Sequence, residues 1–261
     1  MPGNNQAIPQ RSGFYMLGPH SPESLKAIGV LGDLPAIEPG WNAQGNWSAL
    51  FRICMISGRV NSFHQSGLLK LTRHAGTQSQ KFRLTVDRYI KNDTDRCHHH
   101  HAEIVCRGDA LGSPVSWELT SSYLTPQGTA DPTVSRTTSW KDSGSDGALA
   151  TSWGLYEAVQ RMPFEKSASL KFTMLETLDL PKENQRLSYR GKFTFPTDGG
   201  PMTLHCFQHL GWGIIPTEYF VDDNHRLVAC TNSARVYVLE SAALLPLPKV
   251  LQPALAKLRS T

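Results

Sequence analysis

The stretch Lys81-Phe-Arg-Leu-Thr-Val-Asp-Arg-Tyr-Ile90 decides the class of fold. Phe82, Leu84, Val86 and Ile90 fall on one side of an extended chain, and Lys81, Arg83, Thr85 and Asp87 on the other. Successive side chains of a strand point to opposite faces, so this alternation marks a strand with one face buried. Just before it, Leu69 and Leu71 share a face. After it, His101–Cys106, Val115–Tyr123 and Val134–Trp140 read as further strands. Turn-rich stretches such as 91–95 and 107–109 separate them. A Gly/Ser/Asp loop from Asp142 to Gly147 ends this first run.

One helix follows, from Ser152 to Met162. Thr151 or Ser152 can cap it, Leu155, Val159 and Met162 form one apolar stripe, and Pro163 stops it. Glu157 and Arg161 stand four apart and are expected to pair on its outer side. A second β run spans Leu170–Leu178, Arg186–Phe195, the alternation of Met202, Leu204 and Cys206, then Glu218–Val221, Leu227–Cys230 and Arg235–Leu239. The Pro196–Pro201 segment, with paired glycines, is a turn. The order is strands, one helix, strands, with no βαβ alternation, which argues against a parallel α/β sheet. The expected fold is therefore mostly β. A single strongly curved antiparallel sheet, half-barrel or barrel-like, wraps one short helix. An irregular N-terminal arm with a short helix after Ser21 occupies 1–45, the β domain 46–241, and a tail with a short C-terminal helix 242–261. The tail stripe is Val250, Leu251, Ala254, Leu255 and Leu258.

At 261 residues the chain is long enough to bury a core without staples. Hydrophobic residues make up 39% and charged residues 18%, which excludes a disordered chain. No apolar run reaches the ~18 residues of a membrane-spanning helix. No leader is visible at Met1, so the chain as it stands reads as soluble and cytoplasmic. Five cysteines without a C-x-x-C argue against a disulfide framework. A single bridge, Cys97 to Cys106 or Cys206 to Cys230, stays open if the protein is exported. The oligomeric state is left open.

Three groups of residues bear on chemistry. Cys97-His98-His99-His100-His101 has the donor types of a zinc site, but on a strand only His98 with His100, or His99 with His101, share a face. The favoured reading is a polar strand start. His205 and His209 face one side of their strand and are too few for a defined metal site. Between Arg52 and Arg96 there are nine basic and three acidic residues. Lys81, Arg83 and Tyr89 share a side, but Asp87 interrupts it, and a solvated outer face is favoured over a nucleic-acid surface. Nucleophile elbow, H-E-x-x-H, P-loop and dinucleotide patterns are absent, and no catalytic residue, metal or cofactor is assigned.

Residues 150–240 resemble the lipoprotein-carrier-like half-barrel proteins of the bacterial envelope, including members of unknown function. The likeness rests on the helix Ser152–Pro163 between strands, on Pro216–Val228 as strand, acidic turn and strand, and on the closing strand Arg235–Leu239. It implies a bent sheet around a helix, binding of an apolar ligand or lipoprotein, no catalytic residues, and an envelope or exported location with a leader ahead of the present start. No leader or lipobox cysteine matches that pattern here.

The reading is therefore a non-enzymatic binding protein for an apolar small molecule, lipid or lipoprotein-like partner. Trp140, Phe193, Phe195 and Trp212 are expected to form the wall of the site, and His205 or His209 to orient a polar head. Two alternatives are a metal-dependent enzyme centred on His99 and His101 or on His205 and His209, and a nucleic-acid-binding module using 52–96.

Overall fold

The computed structural model describes residues 21–27, 29–37, 39–56, 63–76, 81–92, 96–124, 131, 136–141, 148–197 and 200–260. Most of the N-terminal arm, Val134, the Asp142–Gly147 loop and the tip of the Pro196–Pro201 turn lie outside the described residues.

The first run of strands is β1 (Trp47–Ile56), β2 (Phe63–Ala75), β3 (Lys81–Lys91), β4 (Cys97–Arg107), β5 (Pro114–Leu124) and β6 (Arg136–Lys141). The second is β7 (Leu149–Thr151), β8 (Ser169–Glu176), β9 (Leu180–Thr197), β10 (Gly200–Leu210), β11 (Thr217–Asp222), β12 (Leu227–Thr231) and β13 (Arg235–Leu239). Helix α1 is Pro22–Ala27, α2 is Gly154–Ala158 and α3 is Gln252–Ser260. All thirteen strands belong to one open sheet, in the order β6-β5-β4-β3-β2-β1-β13-β12-β11-β10-β9-β8-β7. Every pairing is antiparallel except β7 with β8. The pairing of β1 with β13 fuses the two runs. The sheet bends until β7 comes back beside β5, without a closing ladder. A mostly β, strongly curved sheet around a short helix is thus the architecture, as the alternation foretold.

Several local expectations need correction. Helix α2 is shorter than Ser152–Met162, although turns carry the chain on to Met162. Thr151 supplies the cap, its Oγ1 accepting the Gly154 N–H at 2.8 Å. The helix has no outer side. Gly154 to Ala158 are all buried, and Glu157, fully buried, pairs with Arg161 inside the barrel. The sheet passes around the whole helix, so Tyr156 meets Phe51 of β1, Tyr219 of β11 and Tyr237 of β13 edge-on. Strand β8 stops at Glu176, because Thr177 and Leu178 adopt positive φ of 51° and 71° and turn the chain into β9. Strand β1 went unread. Its run of Leu50, Phe51, Ile53, Cys54 and Met55 has no clean period, because both faces of this middle strand are largely covered.

The basic stretch is not simply a solvated face. Lys81 and Arg83 are exposed, but Arg73 is buried and Arg52 is held by Glu240 at 2.7 Å. Outside β2 to β4, Leu251, Ala254 and Leu258 of the tail pack on Leu68, Tyr89 and Cys97. The five cysteines are buried and free. Cys97 and Cys106 stand near opposite ends of β4, roughly 30 Å apart along an extended strand, so no bridge can join them. Cys206 and Cys230 lie on strands separated by β11.

Candidate functional site

The interior register of the strands, not any contiguous motif, builds the candidate site. Strand β11 turns Thr217 and Tyr219 inward, β13 turns Arg235 and Tyr237, β10 turns His209, and β3 turns Arg88 in line with Leu84 and Val86. These residues line a cavity of about 250 Å³ at the end of the barrel beside the β12–β13 turn. Trp153 and Tyr156 of the helix segment and Met174 of β8 complete its inner wall, and Ile214 and Ile215 of the β10–β11 loop overhang it.

The floor is a cluster of rings. Tyr156 stands edge-on to Tyr219 at 5.6 Å and to Tyr237 at 5.7 Å between centroids. Burial raises the Tyr156 and Tyr219 hydroxyls well above their usual range, so both stay protonated, and Tyr156 hydrogen-bonds Cys230. Burial pushes the His209 imidazole down to about 4, so the ring is neutral at pH 7. Its Nε2–H donates to Gln185 Oε1 at 3.0 Å. The Gln185 amide in turn donates to the Trp212 carbonyl at 3.1 Å, tying the overhanging loop to β9. Gly211 makes room for this: a Cβ there would lie 2.1 Å from the Gln185 side-chain oxygen.

The six residues expected to form a binding site do not share one wall. His209 lines the cavity. Trp212 is on the overhanging loop but 80% exposed. Trp140 sits opposite Trp117 on β5 and β6. Phe193 packs edge-on against Phe220, and Phe195 lines a shallow groove at the β9–β10 turn. His205 belongs to a second cluster further along β10. Its Nε2 meets Asp223 at 2.8 Å and its Nδ1 meets the Tyr189 hydroxyl at 2.9 Å, while Phe164 is sandwiched between the rings of His205 and His225. Arg88, Tyr156, Arg235 and Tyr237 were missed. A signal existed for Arg88: it occupies the apolar register of β3, between Val86 and Ile90.

The histidine tract begins strand β4 and divides by parity, as extended backbone requires. His98 and His100 meet edge-on at 4.2 Å, with His98 stacked on Tyr123. On the other face His99 Nε2 and His101 Nδ1 both contact Asp87 Oδ1, at 2.9 and 3.0 Å. Among the described residues no group of three or more His, Cys, Asp or Glu side chains fits a metal ion. The Asp87 hydrogen bond holds His101 above its ordinary value. Burial by itself raises the Asp87 carboxyl, but the hydrogen bonds and charges of His101 and His99 outweigh it and hold the group well below the carboxylate range.

The stability this pair contributes is lost as pH rises above about 6.5 through the raised His101 value, and again as pH falls below about 3.9 toward the lowered Asp87 value. Asp87→Asn is therefore expected to flatten the decline in stability between about pH 6 and 8. The change is under ~1 kcal/mol, since His101 is 41% exposed. Urea unfolding at a series of pH values measures it, and an unchanged slope would show that the pair does not act in solution.

No protein-family model matches the chain, and neither does any curated protein. Among solved structures, the chain is similar to a beta-barrel-like protein of a domain of unknown function, DUF1849, from Brucella abortus. That likeness has a TM-score of 0.43 and 6% identity, and covers 75% of this chain and 95% of that one. It names no lipoprotein-carrier family. Among the described residues no helix is long and apolar enough to cross a membrane.

Proposed function

We propose that the protein binds a small molecule with a flat, apolar body in the end cavity, and that this binding is its function. The observation that carries the reading is the half-open cavity of about 250 Å³ floored by Tyr156, Tyr219 and Tyr237 and bounded by Trp153. Ring walls with a few polar groups are the usual form of a small-molecule site. The volume lies just below the range of about 300–1,000 Å³ typical of drug-sized ligands, so a whole diacyl lipid does not fit. Neutral His209, with Nε2–H engaged by Gln185, keeps its Nδ1 lone pair as an acceptor for a polar group of the ligand. In this reading His209 is the polar member of the site, and Ile214 and Ile215 shield the ligand from water.

The test is a fluorescence titration with N-phenylnaphthylamine, an apolar probe that brightens in a dry site. Saturable binding with a Kd of roughly 10 µM, about −7 kcal/mol, is expected. Ala234→Trp places an indole at the cavity wall and should abolish the signal with little change in Tm. Binding that does not saturate, or that survives Ala234→Trp unchanged, would remove this reading.

A further inference from the structure

We infer that the ligand of the end cavity carries an oxyanion, and that Arg88 and Arg235 receive it. The inference rests on the binding role proposed above. Arginine stays protonated in proteins, and a guanidinium taken out of water needs partners. The other well-covered arginines of this fold find them. Arg73 and Arg161 share Glu157, Arg226 is held by Asp222, and Arg52 by Glu240. Arg88 and Arg235 differ. Among the described residues no carboxylate pairs with either, and the Nε of each is buried without a hydrogen-bond partner. The Nε of Arg52 also lacks a hydrogen bond, but its Nη atoms hold Glu240 and the Leu245 carbonyl, and Arg190, whose Nε is in the same position, has interactions of its own and does not line this cavity.

Both unpaired arginines line the same cavity. Glu176, the acid on its lining, is drawn to Lys182 at 3.6 Å. His209 adds no charge. Two cations therefore face a partly dry space with rings for its floor. Burial chiefly holds His98 and His100 below their usual value, with Arg88 adding to it for His98 and, behind His98, for His100. Such a site repels an ammonium and attracts a carboxylate, sulfonate or phosphate, which a guanidinium can bind through paired hydrogen bonds. The ligand class that fits is a small aromatic or otherwise apolar acid.

Two probes with the same ring body separate charge from shape: anilinonaphthalene sulfonate carries an anion, and N-phenylnaphthylamine does not. The anionic probe is expected to bind the unmodified protein at least ~10-fold more tightly. Arg88→Gln and Arg235→Gln should each weaken it roughly 10- to 100-fold, at least ~10-fold more than they weaken the neutral probe, and an unchanged Tm reports that the fold is intact. Equal affinities for the two probes, or variants that bind the sulfonate as well as the parent, would overturn the inference while leaving the binding role standing. Failure of both probes removes the binding role itself. A competition arm needs no variant: naphthoate and naphthyl phosphate should displace the sulfonate, and whichever is stronger identifies the head group. Displacement by naphthalenemethanol at equal concentration would count against an anion site.

Discussion

Replacing Glu157 by glutamine is expected to destabilise the protein by about 3–5 kcal/mol. Glu157 is fully buried inside the curved sheet. Its Oε1 accepts from Arg73 Nε at 2.8 Å and from Arg161 Nε at 2.7 Å, and its Oε2 accepts from Arg161 Nη2 at 2.8 Å. Arg73 also donates to the carbonyls of Gln44 and Gly45 and lies over the Phe82 ring at 4.3 Å. The one carboxylate is thus the counter-charge shared by two guanidinium groups, and it fastens α2 to β2 and to the segment before β1. Glutamine keeps the shape but leaves both cations without a counter-charge in a place water reaches poorly. Urea unfolding followed by tryptophan fluorescence measures the loss, and a change below about 1 kcal/mol would show that the barrel interior is wetter than its burial implies. A triple replacement of Arg73, Glu157 and Arg161 by leucine should be milder than Glu157→Gln alone, because an apolar filling leaves no charge stranded.

Gly67→Ala is expected to destabilise by about 3 kcal/mol, toward the upper end for overpacking. Gly67 lies in β2 opposite Ile53 of β1 and Ile90 of β3, where the β1–β2 register shifts. A Cβ there would sit 2.2 Å from the Tyr89 carbonyl oxygen and 2.8 Å from Ile90 Cδ1. The isoleucine can rotate away, but the carbonyl belongs to the ladder and cannot move without pulling β3 from β2. The glycine therefore serves a close approach of backbones rather than a special φ. Thermal and denaturant unfolding of the variant measure the effect. A loss below about 0.5 kcal/mol would mean that the strands separate at this point more easily than a continuous sheet allows.

Both expected effects concern residues whose importance no local pattern announces. Alternation in Lys81–Ile90 marked β3, and the even positions Phe82, Leu84 and Val86 do face the core. The same rule split the four histidines correctly between two faces. The helix after Thr151, its Glu157–Arg161 pair and the tail stripe on Leu251, Ala254 and Leu258 were legible for the same reason. Each depends on neighbours within one element, where a period of 2 or 3.6 fixes which side chains share a face.

The chain by itself therefore determined the class of fold, the order of strands around one helix, and the inward register that His205 and His209 share. Tertiary structure decided the rest. That β1 is a central strand follows from its pairing with β13, almost two hundred residues away, and the chain beyond β13 covers its outer face, where Leu50 packs on the tail cluster and Arg52 reaches Glu240 and the Leu245 carbonyl, which blurs the alternation. Whether Glu157 points to water or to Arg73 depends on how far the sheet bends, and bending is a property of thirteen strands together. The cavity draws Arg88 from β3, His209 from β10, Tyr219 from β11 and Arg235 from β13 to one end of the barrel. Periodicity assigns each of them a face, but it carries no information about which faces meet, because that is set by the register and curvature of strands far apart in sequence.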